Sequence, residues 1–380
     1  MEYAELKQDD IVRDLFDKVK SATEDIIHPN ILVCGKTGVG KSTLINSVFR
    51  KNLTETGTGR PVTRHLQKVE DEEVPVTIYD TKGLELDGSV QEQIKKEIID
   101  FVNESRKTED AADYVHVIWY CLNSCSNRIE EAEENLIKEL TCSVEVPVII
   151  VLTQSFQNAQ AEAFRKSVAD MNIVGNVISV MAQEYEISPD LPRVPSHGLD
   201  QLVGITYSVL PDSVQRGFIN AQKVSLSAKE KAAKKYANAY IASTFVTGFT
   251  PIPCSDIIPL IGQQVVMVAH ITAIFGLSVD KSFISALITS IFGSSSAAIA
   301  GKLFVSNVFK IIPGIGTLIG GLISGATASV LTAAMARAYI AFLVTAFKKE
   351  YEGKSLKNEE MFDDLKSMFE EELQKGGADV

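Results

Sequence analysis

One stretch constrains this chain more than any other: Gly35-Lys36-Thr37-Gly38-Val39-Gly40-Lys41-Ser42. It follows the apolar run Ile31-Leu32-Val33-Cys34 and precedes a helical pattern over 43–50. This is GxxxxGK[ST] set between a strand and a helix, where glycines let backbone N–H groups converge on a phosphate at a helix N-terminus. The surroundings fit such a strand. Short runs rich in Val and Ile at 30–33, 74–79, 115–120, 146–152 and 173–180 alternate with helical stretches at 89–107, 129–140 and 159–171. Apolar strands separated by amphipathic helices predict an α/β fold, a mostly parallel sheet with helices on both faces.

Charge divides the rest. The net charge of −12 argues against a nucleic-acid reader that relies on an overall positive field. Yet residues 236–347 hold only six Asp, Glu, Lys or Arg. Five lysines lie within 221–235 just before this block, and Lys348 and Lys349 follow it. The tail 351–380 carries nine acids against four bases. Five cysteines, with no CxxC pair, read as plain thiols in a reducing compartment. The charged N-terminus reads as an amphipathic helix and not a signal peptide, with Leu6, Ile11, Val12, Leu15, Phe16 and Val19 on one face. The expected organisation is an N-terminal amphipathic helix (1–28), a P-loop domain (29–212), an all-α, glycine-rich apolar helical domain (213–350) and an acidic amphipathic tail helix (351–380).

The motifs assign roles. Gly35, Gly38, Val39, Gly40 and Thr43 offer backbone to a phosphate chain, and Lys41, expected to face solvent, reaches its β- and γ-phosphates. The Ser42 hydroxyl is a Mg²⁺ ligand. Downstream, Asp80-Thr81-Lys82-Gly83 ends a strand as DxxG: Asp80 holds Mg²⁺ through water and the Gly83 N–H meets the γ-phosphate.

Between the two lies Gly59-Arg60-Pro61-Val62-Thr63-Arg64-His65, and here the chain resembles the Era and TrmE branch of small G domains. The resemblance implies a GTPase that binds GTP or GDP with Mg²⁺, Thr63 closing on the metal and the γ-phosphate; Thr54, Thr56 and Thr58 compete for that role. It also implies a base-reading NKxD after the strand 148–152, where Thr153-Gln154-Ser155-Phe156 stands instead. Thr153 and Gln154 remain base-loop candidates, but Phe156 replaces the carboxylate that reads guanine. Met181 and Ala182 match the second base loop loosely, so guanine is favoured by the resemblance and adenine stays open. Leu84 replaces a water-orienting Gln, and Gly38 replaces the potassium-binding Asn of TrmE. With Lys41 and Thr63, the catalytic candidates are therefore Glu85, Arg60 or a second molecule. Immunity-related and GIMAP-like GTPases share the Gly and work through G-domain contact, an analogy that points to a homodimer.

Four runs without Asp, Glu, Lys or Arg, 236–255, 257–279, 282–301 and 311–336, each reach the length of a membrane-spanning helix. Pro251-Ile252-Pro253-Cys254-Ser255-Asp256 resembles the signature of a helical domain of unknown function that follows Era-like domains in bacteria. Two readings are open: a soluble bundle packed through Gly and Ala, or a membrane domain with an anionic membrane surface as partner, whose basic flanks put both ends in the cytoplasm and so demand an even number of crossings. His270 reads as a core residue and not a proton relay. The function expected is a GTPase switch acting on the helical domain, and its rival is a nucleotide-binding scaffold with little hydrolysis.

Overall fold

The computed structural model describes residues 8–24, 26–56, 60–63, 65–81, 88–108, 110–156, 158–173, 175–190, 192–247, 252–253, 258–277, 322–323, 325–352 and 359–377. The chain forms two compact units, one of Ile26–Ala228 and one of Met1–Asp25 with Lys229–Val380. In chain order, α1 (Gln8–Glu24) precedes β1 (Asn30–Cys34), α2 (Lys41–Phe49) and α3 (Leu53–Thr56). Then come β2 (Arg60–Pro61), β3 (Leu66–Asp71), β4 (Val74–Thr81), α4 (Gly88–Ser105), β5 (Val117–Asn123), α5 (Glu131–Ser143) and β6 (Val148–Thr153). α6 (Ala159–Asp170), β7 (Asn176–Ser179), α7 (Leu199–Val209), α8 (Asp212–Ala221) and α9 (Leu226–Thr247) follow.

The first unit is a seven-stranded sheet in the order β2-β3-β4-β1-β5-β6-β7. Pairing is parallel from β4 through β7 and antiparallel at the β2–β3–β4 edge. β1 and β6 are buried along their whole length, which is why they read as unbroken apolar runs and not as alternation. One face packs Leu32, Ile118, Tyr120 and Ile150 against Ile94 and Ile98 of α4, Leu136 and Leu140 of α5 and Phe164 of α6. On the other, fully buried Trp119 stacks on Phe49 of α2 with centroids 6.4 Å apart and donates its indole N–H to Thr206 of α7 at 3.1 Å. The chain leaves β1 toward β4 and leaves β5 toward β6, so the connections diverge beside the carboxyl ends of β1 and β5. That is where open α/β sheets take their ligands.

The antiparallel edge and the helices α7 and α8 go beyond the sequence reading. α8 carries the unit past residue 212: Val214 and Phe218 are fully buried, and the Lys223 N–H bonds the Val48 carbonyl at 2.9 Å.

The second unit comprises α1, most of α9, the short pair β8 (Ile252–Pro253) and β9 (Leu322–Ile323), α10 (Ile258–Phe275), α11 (Gly325–Tyr351) and α12 (Glu359–Gly377). Its core gathers Met267, Ile271 and Phe275 of α10 with Tyr339, Phe342 and Leu343 of α11 and Leu365 of α12. Thr272 and Tyr339 bond through their hydroxyls at 2.6 Å, and Tyr240 bonds His270 Nδ1 at 2.7 Å. Lys229, fully buried, donates to the Ile274 carbonyl at 3.2 Å with the Phe347 ring 5.4 Å away. The charge-free runs map onto helices only in part: α10 lies inside the second. The first ends in β8, the third lies outside the described residues, and α11 starts inside the fourth and runs on past Arg337. Among the described residues, Ser329–Glu350 is long and apolar enough to cross a membrane, and 67% of its most apolar window is buried within the structure. Of the Pro-Ile-Pro signature only Ile252 and Pro253 are described.

Candidate functional site

Gly35 leaves β1 at φ 142°, and a Cβ there would lie 2.5 Å from the Cys121 carbonyl of β5. Only glycine lets the loop pass this close. Gly40 takes φ 94° and N-caps α2 without a side chain, leaving the helix N-terminus open. Lys41, the first residue of α2, is not solvent-facing as expected but 8% exposed. Its Nζ donates to the carbonyls of Gly35 (2.7 Å) and Lys36 (3.0 Å), so the ammonium lies folded over the loop. Ser42 and Thr43 are exposed. Val39 is buried, and Gly38 presents its carbonyl to Gln154.

The loop after β6 is tied to this cradle. The Thr153 hydroxyl, buried, bonds the carbonyls of Val39 and Leu122. Gln154, at φ 51°, donates from Nε2 to the Gly38 carbonyl at 3.2 Å, and its Oε1 accepts from Asn123 at 3.4 Å. Ser155 is buried and donates its N–H to the Val180 carbonyl at 3.1 Å. Phe156 follows, half-buried, its ring meeting that of Tyr185 edge-on at 5.6 Å. The Met181 N–H donates to the His197 carbonyl at 3.0 Å and its side chain is buried; Ala182, next to it, is half-buried. A cavity of about 570 Å³ lies beyond, lined by Phe156, Asn158, Arg165, His197 and Gln201 among others.

On the other side of β1, Asp80 stands in register with Val33 near the end of β4, and the Thr81 hydroxyl bonds the Val33 carbonyl at 3.2 Å. Below lie two buried thiols, Cys34 and Cys121. Burial raises both; Lys41 works against this and Asp80 with it, and Cys121 reaches about 12. These thiols stay protonated, an apolar floor and not nucleophiles.

Thr63 sits in the turn between β2 and β3, where its hydroxyl accepts from the Leu66 N–H at 3.1 Å. Glu97 of α4 accepts from the His65 N–H (3.2 Å) and pairs with its Nδ1 (2.9 Å). Burial would raise the Glu97 carboxyl, but hydrogen bonds from His65 and Thr63 prevail and hold it below the ordinary value. Thr63 is thus fastened to α4 by contacts that involve no P-loop residue. The backbone of Arg60 in β2 pairs with that of Lys68 in β3; the Arg60 side chain, and all of Gly83, Leu84 and Glu85, lie outside the described residues.

Sequence reasoning passed over two features. Lys36 reaches out of the P-loop to Glu130 (2.8 Å) and Glu133 (3.3 Å) at the start of α5. The signal was there: Glu130-x-x-Glu133 forms a capping box at that terminus. The second is the excursion between β7 and α7, closed by Met181↔His197 and Tyr185↔Val194.

Parts of the chain are similar to known proteins. Residues 30–154 match the model of the family described as 50S ribosome-binding GTPase. Human septin-8 is 25% identical over 182 residues, covering 42% of this chain and 36% of septin-8. Zebrafish neuronal-specific septin-3 is 24% identical over 183 residues, 42% of this chain and 50% of that protein. The small ribosomal subunit biogenesis GTPase RsgA of Clostridium kluyveri is 39% identical over 64 residues, 15% of this chain and 21% of RsgA. The chain spans about two fifths of the length of the curated relatives it matches. Among solved structures, a probable GTP-binding protein engB aligns at 22% identity and TM-score 0.29, over 40% of this chain and 88% of its own. A dimerization-deficient mutant of Toc33 from Arabidopsis thaliana aligns at 17% identity and TM-score 0.32, over 56% and 91%.

Proposed function

We propose, from the match of residues 30–154 to the model of a GTPase family, that the chain is a Mg²⁺-dependent GTP-binding switch that hydrolyses GTP and whose nucleotide state governs the helical unit. The observation that carries this reading is Lys41, folded over the cradle of Gly35–Gly40 with its ammonium on two loop carbonyls. A phosphate chain in the loop exchanges those carbonyls for β- and γ-oxygens, a charge-assisted and stronger bond. The loop N–H groups and the open N-terminus of α2 supply the rest of the anion site.

The donor set suits Mg²⁺, which keeps most of its water and takes few protein ligands: an exposed Ser42 hydroxyl and the Asp80 carboxylate at the strand end. Thr63 joins it by a movement of the β2–β3 turn. When bound, Mg²⁺ neutralises charge between the β- and γ-phosphates. Gln154, Met181 and Ala182 border the base. Glu85 or Arg60, or a group from a second G domain, orients the attacking water. The helical unit is the output, and its basic flanks at 223–235 and 348–349 suit a protein partner or anionic lipid at the cytoplasmic face. Multiple-turnover phosphate release from GTP tests the switch. Nucleotide bound without release beyond one equivalent favours the scaffold instead, a reading that Leu84 in the water-orienting position supports.

A further inference from the structure

The loop that leaves β6 is bonded to the P-loop at Val39 and Gly38, so the residue it carries outward, Phe156, stands at the border of the nucleotide site. No carboxylate occupies that place. A second ring comes to it from the excursion after β7. There Tyr185 and Val194 exchange two backbone hydrogen bonds, of 2.9 and 2.8 Å, and Arg193 braces the strand pair through Glu186 at 2.8 Å. This fixes Tyr185 so that its ring meets Phe156 at 5.6 Å and an interplanar angle of 81°, while the tyrosine remains 52% exposed. A braced aromatic pair with an open ring surface is a platform for a flat ligand.

We propose that Phe156 and Tyr185 hold the nucleotide base by ring contact in place of carboxylate readout, so that the site takes purine nucleoside triphosphates with little preference between guanine and adenine. The proposal rests on the P-loop reading above. Every base has a π-face, so stacking adds affinity without telling one purine from another. A bidentate acceptor discriminates because the wrong base leaves it unpaired.

The test is calorimetric titration of the full chain, with Mg²⁺, against GTP, ITP, ATP and inorganic tripolyphosphate, which has no base. Wild type is expected to bind the three nucleotides within about fivefold of one another. Phe156→Leu and Tyr185→Leu, which keep bulk and lose the ring, should weaken all three equally by about tenfold and leave tripolyphosphate unchanged. Phe156→Trp should restore the loss. The proposal is overturned if wild type prefers GTP to ATP by a hundredfold or more. It is equally overturned if the leucine variants bind nucleotides like wild type, or lose tripolyphosphate in parallel, which would make the rings structural. A wild type that binds neither nucleotide nor tripolyphosphate overturns the P-loop reading itself.

Discussion

In the proposed phosphate site Lys41 is the central donor, and its burial changes what its removal does. Lys41→Ala takes the donor from the Gly35 and Lys36 carbonyls and the ammonium from the phosphate site together. Affinity for GTP should fall by orders of magnitude, while stability falls by about 1.5–3 kcal/mol, the worth of hydrogen bonding by a charged group. Titration with a fluorescent GTP analogue reads the first and urea denaturation the second; near-native titration by the mutant rejects the assignment. At this scale the P-loop was legible because its glycines and lysine are dictated by what the loop must do. The direction of the Lys41 side chain was not, since the carbonyls that receive its ammonium are placed by the backbone path of the loop. Nor was the work of Thr153, whose hydroxyl ties two strands' ends to the loop across a separation that no local pattern records. Phe156 was legible as a missing carboxylate; Tyr185, its partner, was not, because contact between them depends on the path of the excursion.

At the scale of the element, β5 is entered through His116, which is 4% exposed and bonded only to backbone in the contacts described. Its Nδ1 accepts from the Asn30 N–H at 2.9 Å, and its Nε2 lies 3.0 Å from the Ala111 carbonyl. This pairing suits the neutral ring with its proton on Nε2. Burial lowers the pKa, and the Ala111 bond only partly offsets it. The folded histidine therefore holds its proton less tightly than the unfolded one, and unfolding takes up a proton as pH drops below the ordinary histidine value. Stability is complete above that value and declines below it. Between pH 7.5 and 5.5 wild type should lose more stability in urea titrations than His116→Gln does. His28, also lowered by burial, titrates with the same sign in both proteins and cancels in the comparison. An equal loss in both proteins removes the account. The central strands were legible as continuous apolar runs because both faces are covered. β3 was not: its buried residues Leu66 and Val69 are three apart and so lie on opposite faces, which defeats a search for alternation.

For the whole molecule, hydrolysis needs a group that orients water, and Leu84 provides none. If a second G domain supplies it, specific activity rises with protein concentration, by about 10³–10⁵-fold for an arginine delivered in trans. Phosphate release measured from nanomolar to tens of micromolar protein, with Arg60→Ala alongside, checks this; activity per molecule that is flat and appreciable sinks it. The helical unit was the least legible part. Lack of charge marked where its apolar residues lie but not where its helices begin and end, and β8 interrupts what reads as one run. Length and apolarity also fit a core helix as well as a spanning one, and much of Ser329–Glu350 is turned inward.

The chain holds a single tryptophan, and it is the one stacked on Phe49 and fully shielded between β5 and α2. Its emission is therefore an optical label that nature has placed in the sheet unit alone. In the folded protein it should be blue-shifted, and it reddens when water reaches the indole. Ellipticity in the far ultraviolet, by contrast, is dominated by the helices of both units. Each unit has its own core, so the two signals should part on heating, ellipticity still changing where the emission has already levelled or has not yet begun to move. Coincident curves would mean that the two cores melt as one.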